Sequence, residues 1–315
     1  MQVNPTNAAR RIRIGTRGSP LALWQAHETR RLLMAAHGLA ESQFDITVIR
    51  TSGDRIQDRP LSEVGGKGLF TKEIDEALIA RDIDIAVHSM KDLPTLLPEG
   101  FATGAVLQRH DVRDAFVSLK HATLASLPQG ATLGTSSLRR QAQVRHMRPD
   151  LVVVGFRGNV QTRLQKLSQG VADATLLACA GLERLGMGDR ITGRIETSQM
   201  LPAVAQGAIA VVALGEDAEM MRRLSTIDHQ PSRTCVLAER TFLGLLDGSC
   251  RTPIAGLATL ANGNLTLRGQ VLSPDGRRIL DCVHEGPASD AFGIGERAGR
   301  DLLARGAAQL FDGNA

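Results

Sequence analysis

Apolar positions in this chain recur with two different periods, and the switches between them mark out its elements. Residues 11–17 (RIRIGTR) alternate as a strand does; Ser19 and Pro20 then open a stretch, LALWQAHETRRLLMAA, whose apolar residues recur every three to four positions until Gly38. Serine at the cap, proline at the first turn and glycine at the stop predict a helix fed by that strand. A second strand is predicted over 44–51, a helix over 67–81, and a buried strand over 84–89 that ends abruptly at Lys91-Asp92-Leu93-Pro94. The pattern then restarts, with strands at 114–118, 131–135, 151–156 and 172–178 and helices at 136–147 and within 158–170. Alternating strands and helices imply parallel, doubly wound layers, here in two α/β units of similar size.

The texture changes after a predicted helix at 234–246. Three alternating runs are separated by turn signals at Ala261-Asn262-Gly263 and Pro274-Asp275-Gly276, the pattern of an antiparallel meander. An amphipathic helix at about 289–310 covers one face of it, giving a small third α+β unit. The apolar run 201–214, with Gln206-Gly207 at its centre, is compatible with a strand returning to either of the first two sheets.

Size and composition narrow the function classes. A chain of 315 residues predicts two or three domains, and 43% hydrophobic with 22% charged residues is ordinary for a folded protein. One Trp, eight Phe and no Tyr argue against stacking along single-stranded nucleic acid. No apolar run is long enough to span a bilayer, and MQVNPTNAARRIRIGTR reads as a frayed tail without the apolar core of an export signal. The four cysteines, Cys179, Cys235, Cys250 and Cys282, are far apart with no C-x-x-C pair and no nearby histidine at ligand spacing, so no metal and a reducing cytoplasm are expected.

The formal charge of +4 is mild, but its distribution is not. Window 134–166 holds Arg139, Arg140, Arg145, Arg148, Arg157, Arg163 and Lys166 against one acid, Asp150. Thr135, Ser136 and Ser137 stand where a strand turns into a helix, so backbone N–H groups and hydroxyls face an anion there, and Phe156-Arg157-Gly158-Asn159 repeats the arrangement. Arginine forks suit carboxylates or phosphates. Arg145, Arg148 and Lys166 also fit a solvated helix face. In the first unit, Arg17-Gly18-Ser19 is a further strand-to-helix anion site, and Gly65-Gly66-Lys67-Gly68 is a glycine loop carrying one cation that matches neither the P-loop nor the dinucleotide fingerprint. Lys91 and Asp92 fall at the end of a buried strand, where a crevice rim or a structural ion pair are both possible readings. Cys250, in the loop DGSCRTP, is the thiol most open to modification, although a single loop cysteine is also commonly inert.

Taken in order, TRGSPLALWQA, GGKGLFTKE, DIAVHSMKDLP, GTSSLRRQAQ, RGNVQTRL, LPAVAQGA and the GSC loop resemble the porphobilinogen deaminases, also called hydroxymethylbilane synthases, across about residues 12–253. The resemblance implies two periplasmic-binding-protein-like doubly wound domains flanking a cleft, and a small C-terminal α+β domain with an antiparallel sheet. Their expected extents are 1–107 with about 208–225, 113–201, and 228–315. It further implies a cytoplasmic monomer that joins four porphobilinogen molecules head to tail into hydroxymethylbilane and releases ammonia each time.

The same resemblance implies a dipyrromethane primer held by a thioether to Cys250. Asp92, with Lys91, is the expected catalytic residue. Ser89, Lys91, Thr135, Ser137, Arg139, Arg140, Arg157 and Arg163 are expected to hold cofactor carboxylates, Arg17, Ser19 and Arg184 to face substrate, and Lys67, on a loop over the cleft, to bind cofactor or substrate carboxylates. Two departures from the family pattern are Ala205, where PAVGQGA is expected, and Ser249, where GGC is expected. The competing readings are a non-catalytic anion-binding sensor, which would bind carboxylates without releasing ammonia, and a nucleic-acid binder, which would show a steep salt dependence.

Overall fold

In the computed structural model, residues 11–55, 70–246 and 252–311 are described. The first unit contains β1 (Ile12–Thr16), α1 (Pro20–His37), β2 (Phe44–Val48), a single turn α2 (Ser52–Arg55), α3 (Lys72–Ile79), β3 (Ile85–Ser89) and β4 (Phe101–Val106). The second contains β5 (Asp114–Ser118), β6 (Thr132–Gly134), α4 (Leu138–Met147), β7 (Val152–Val154), α5 (Val160–Ser168), β8 (Ala174–Ala178), α6 (Cys179–Arg184) and β9 (Gly193–Ile195). The chain then returns through β10 (Ile209–Leu214) and α7 (Ala218–Ser225). It ends with α8 (Gln230–Leu245), β11 (Ile254–Ala261), β12 (Asn264–Leu272), β13 (Ile279–Pro287) and α9 (Ala291–Ala304).

Two sheets repeat one plan. The first has the order β2-β1-β3-β10-β4 and the second β7-β6-β8-β5-β9. In each, the first three strands are parallel and the last two joints antiparallel, so the expectation of purely parallel layers is corrected to mixed sheets. The cause is the pair of crossovers. The chain leaves β4 through 107–113 to enter the second sheet as β5, and leaves β9 through 196–208 to enter the first sheet as β10, each time running against its new neighbour. The ambiguous run at 201–214 is thereby resolved: its second half is a strand of the first sheet.

The local rules hold at the helix ends that matter. Ser19 Oγ accepts the Ala22 N–H at 3.2 Å, Pro20 occupies the first turn, and Gly38 closes α1 in the left-handed region. The helix expected over 67–81 is shorter, beginning at Lys72, with 67–69 outside the described residues. β4, α6 and β9 carry no strong periodicity and are not legible in the sequence; α7 is amphipathic, with Met220 and Leu224 on its buried side, but no sequence expectation covers its eight residues.

Each sheet is covered on both faces. Ile14, Ile85, Val87 and Val211 pack against Ala26 and Leu33 of α1 and Met220 and Leu224 of α7. The opposite face, through Ala86, Ala210 and Val212, meets Ile74 and Leu78 of α3 and continues into Val236 and Phe242 of α8 and the three-stranded sheet β11-β12-β13. The third unit thus shares a core with the first. Its contact with the second includes two polar bonds: Arg145 donates to Pro274 O at 2.7 Å and the His146 ring meets Gly276 O at 3.0 Å, seating the β12–β13 turn on the far end of α4. Gly276 has φ +76, and a Cβ there would meet Ala142 O at 2.6 Å.

Candidate active site

The parallel registers align the strand ends. Gly15 pairs with Ala86 and Gly134 with Thr175 and Val154, so the segments after β1 and β3 share one edge, and those after β6, β7 and β8 share another. At the first edge lie Arg17, Ser19, Ser89 and the turn Met90–Asp92; at the second lie Thr135, Ser137, Arg157 and Arg163. Ser137 and Asn159 cap α4 and α5 by accepting the Arg140 and Thr162 N–H groups. The two edges face one another electrostatically. The Lys91 ammonium is pushed down to about 8 by burial, with Asp92 and Asp114 opposing and Arg140 and Arg139 adding to the effect. Arg163 is pushed down to about 10 by burial and by the Arg140 and Arg157 charges, against the pull of Asp92. Groups of the first unit therefore sense groups of the second.

A buried acid organises the basic wall. Asp114 is fully buried; its Oδ1 accepts from Arg140 Nη2 at 2.6 Å and Nε at 3.1 Å, and its Oδ2 lies 2.8 Å from Arg139 Nη2. Burial alone would raise this carboxyl, but the two guanidiniums and the Arg140 and Gln206 hydrogen bonds hold it well below the usual carboxylate range. Arg140 Nη1 also donates to Leu176 O at 2.9 Å and Arg139 Nη1 to Leu201 O at 2.8 Å. Arg139 Nε is buried with no hydrogen-bond partner among the described residues. Sequence reading missed Asp114. Its signal is an acid at the head of an otherwise apolar strand, supplying from outside the basic window the counter-charge that the window lacks.

Neighbouring groups are held as firmly. Gln25 Nε2 donates to Ser89 Oγ at 2.8 Å. Arg17 lies over the Phe70 ring at 4.2 Å and, with burial as the larger cause, pushes the buried His88 down to about 4. Arg240 of α8 donates to the carbonyls of Leu93, Pro94 and Thr95, clamping the chain just beyond Asp92. Arg184 is buried over Trp24 at 5.5 Å and donates to Gly207 O at 2.7 Å, so it joins α6 to α1 and to the crossover.

Three cations of the basic window serve the scaffold. Arg145 holds the β12–β13 turn, Arg148 pairs with Asp150 and three backbone carbonyls, and Lys166 donates to Arg157 O at 3.0 Å. Neither a free solvated face nor an anion site describes them. Cys179, Cys235 and Cys282 are buried free thiols, as their apolar surroundings imply. Contrary to expectation, a histidine does lie near one of them: alternation along β13 puts Cys282 and His284 on one face, with Asp301 of α9 within 4.8 Å. His284 and Asp301 already pair at 3.2 Å, and burial with the Asp301 charge pushes the Cys282 thiol up to about 11. Cys250 and Lys67 lie outside the described residues.

Comparison with known proteins places these features in context. The family model described as "Porphobilinogen deaminase, dipyromethane cofactor binding domain" matches residues 12–222, and "Porphobilinogen deaminase, C-terminal domain" matches 233–304. The porphobilinogen deaminase of Paracoccus denitrificans (strain Pd 1222) is 58% identical over 301 residues, covering 96% of each chain. The chloroplastic porphobilinogen deaminase of Pisum sativum is 53% identical over 317 residues, covering 99% of this chain and 86% of its own. Among solved structures, the methionine binding protein MetQ aligns with TM-score 0.45 at 11% identity, over 69% of this chain and 89% of its own. The Bordetella pertussis BvgS VFT2 domain double mutant aligns with TM-score 0.38 at 17% identity, over 69% and 85%.

Proposed function

This chain belongs to the porphobilinogen deaminase family, and from that premise we propose how its residues divide the work. The enzyme is a transferase that deaminates porphobilinogen and polymerises four molecules head to tail into hydroxymethylbilane, in tetrapyrrole biosynthesis. The observation that carries the assignment of residues is the opposition of Lys91 and Asp92 on one unit to Arg139, Arg140 and Arg163 on the other.

That wall suits a polyacid. Lys91, Arg139, Arg140, Arg157 and Arg163 converge on Asp92 and Asp114, and the buried Arg139 Nε lacks a hydrogen-bond partner among the described residues, so the site carries excess positive charge that acetate and propionate side chains would neutralise. A dipyrromethane bound through Cys250 fits this donor set, and when bound it supplies a primer to which pyrrole units are added. Lys91, Ser89, Thr135, Ser137, Arg139, Arg140, Arg157 and Arg163 would hold its carboxylates. Arg17, Ser19 and Arg184 would face incoming substrate.

Loss of ammonia from porphobilinogen leaves an electron-poor methylene-pyrrole cation. The Asp92 carboxylate, beside the pyrrole N–H, stabilises that charge as it develops. Its protonated form gives a proton to the departing amine, leaving that carboxylate, which then takes up the proton shed from the ring carbon once the new carbon–carbon bond has formed. Arg240 keeps Asp92 in place by fixing the carbonyls that follow it. The working units are 1–107 with about 208–225, 113–201 and 228–315, arranged around a cleft in the manner of periplasmic binding proteins, in a cytoplasmic monomer.

Intact-protein mass and ammonia release test this division. Cys250→Ser abolishes the adduct, whereas Asp92→Asn keeps the adduct and collapses turnover. An active Cys250→Ser enzyme without an adduct would refute it.

A further inference from the structure

The two crossovers meet at Gln206, which is fully buried. Its Nε2 donates to Val112 O at 2.8 Å and to Asp114 Oδ1 at 3.0 Å. With both amide hydrogens directed that way, the carbonyl end must point to the opposite side, where Oε1 accepts from Lys91 Nζ at 3.4 Å. The reversed amide would set its NH2 against an ammonium and its oxygen against a carboxylate, unfavourable at both ends. The backbone is fixed as well: Arg109 Nε donates to Gln206 O at 2.8 Å.

A neutral side chain thus stands between the lysine of one half-site and the aspartate that holds the two arginines of the other. Neither charged alternative fills this role. Glutamate would place a second carboxylate against Asp114, and lysine would place a second ammonium against Lys91.

We propose that Gln206 is a positioning residue for the deaminase reaction, fixing Lys91 relative to the Asp114–Arg139–Arg140 cluster so that the two halves of the carboxylate-binding wall keep one register. The proposal rests on the functional reading above. Gln206 contacts no reacting atom; it acts through Lys91 and Asp114. Among the described residues, the charged groups acting on Lys91 are Asp92, Asp114, Arg139 and Arg140, and a substitution at 206 alters the charge of none of them.

The test compares the holoenzyme with Gln206→Leu and Gln206→Glu, reading Lys91 acetylation by acetic anhydride at pH 7.5 by peptide mass spectrometry. In Gln206→Leu the ammonium loses the Gln206 acceptor, the free amine is favoured, and acetylation speeds about threefold or more. In Gln206→Glu a carboxylate faces the ammonium and acetylation slows by about the same factor. In both, kcat falls about tenfold or more while the melting transition stays cooperative. Opposite shifts at Lys91 are a signature that general loosening of the fold does not produce. Shifts in the same direction, or none, overturn the proposal. If Gln206→Leu does not fold, Gln206→Glu alone decides, and unchanged or faster acetylation rejects the idea. Ammonia release by the wild type is measured in parallel. Its absence overturns the deaminase reading, while the Lys91 comparison needs no turnover and still decides the role of Gln206.

Discussion

The Arg109 guanidinium and the Glu239 carboxylate form a two-pronged pair, at 2.6 and 3.1 Å, at the place where both crossovers meet the third unit. Glu239 is fully buried and also accepts the Ala205 N–H at 2.6 Å and the Ala258 N–H at 2.7 Å. One carboxylate therefore fastens the outgoing crossover, the returning crossover and β11 together. Removing its charge leaves a buried guanidinium without a counter-ion. Glu239→Gln is expected to lower unfolding free energy by about 3 kcal/mol or more, measured by urea unfolding. A loss below about 1 kcal/mol would contradict the role given to this pair.

Ala205 sits beside that pair at φ +59, in the left-handed region where a Cβ is strained. Ala205→Gly removes the strain but frees the unfolded chain, and the first effect is the larger. The expected net gain is about 0.5–1 kcal/mol in urea unfolding, with turnover retained.

His88 is buried, its Nε2 has no hydrogen-bond partner among the described residues, and burial followed by the Arg17 charge lowers it from 6.5 to about 4. The unfolded chain takes up this proton near pH 6.5, whereas the native protein resists until about 4. Stability from this group is therefore complete above about pH 6.5 and declines as pH falls toward 4, by about 3 kcal/mol in total. In His88→Gln the part of the acid loss between those pH values should shrink by about that amount. Parallel stability–pH curves for the two proteins would show that His88 is not the group responsible.

Asp114 neutralises two guanidiniums from one buried position. Asp114→Asn leaves both charges buried and uncompensated, so a loss of about 3–5 kcal/mol is expected, together with a smaller adduct-bearing fraction by intact mass. Because its carboxyl lies well below the ordinary range, the wild-type network should persist through mildly acidic pH and fail only in strong acid.

Much of this architecture can be read from residues whose effects are local. Ser19, Pro20 and Gly38 bound α1 through cap geometry that needs no tertiary partner, and the β12–β13 meander follows from alternation and turn residues. Strand direction was not readable. β5 looks like any apolar strand, and only the crossovers that deliver β5 and β10 make them antiparallel. In the site, the basic window and the KD turn stand out because charge is visible in sequence. Asp114, Gln206 and Glu239 do not, since their importance arises from partners 26 to 130 residues away. For the same reason Arg139 and Arg140 are conspicuous in sequence, but their anchoring to Leu201 O and Leu176 O is not.

The β12–β13 turn seated on α4 makes the third unit a strut between the other two. On one side it is welded by a continuous apolar core and by Arg240 and Arg233 gripping the backbone of the first unit. On the other it rests on the Arg145 and His146 bonds and a small patch around Leu201, Ala255 and Leu257. The second joint is the lighter of the two, a few bonds and a small patch against a continuous core, so the third unit is anchored to the half that carries Asp92 more firmly than to the half that carries the arginine wall.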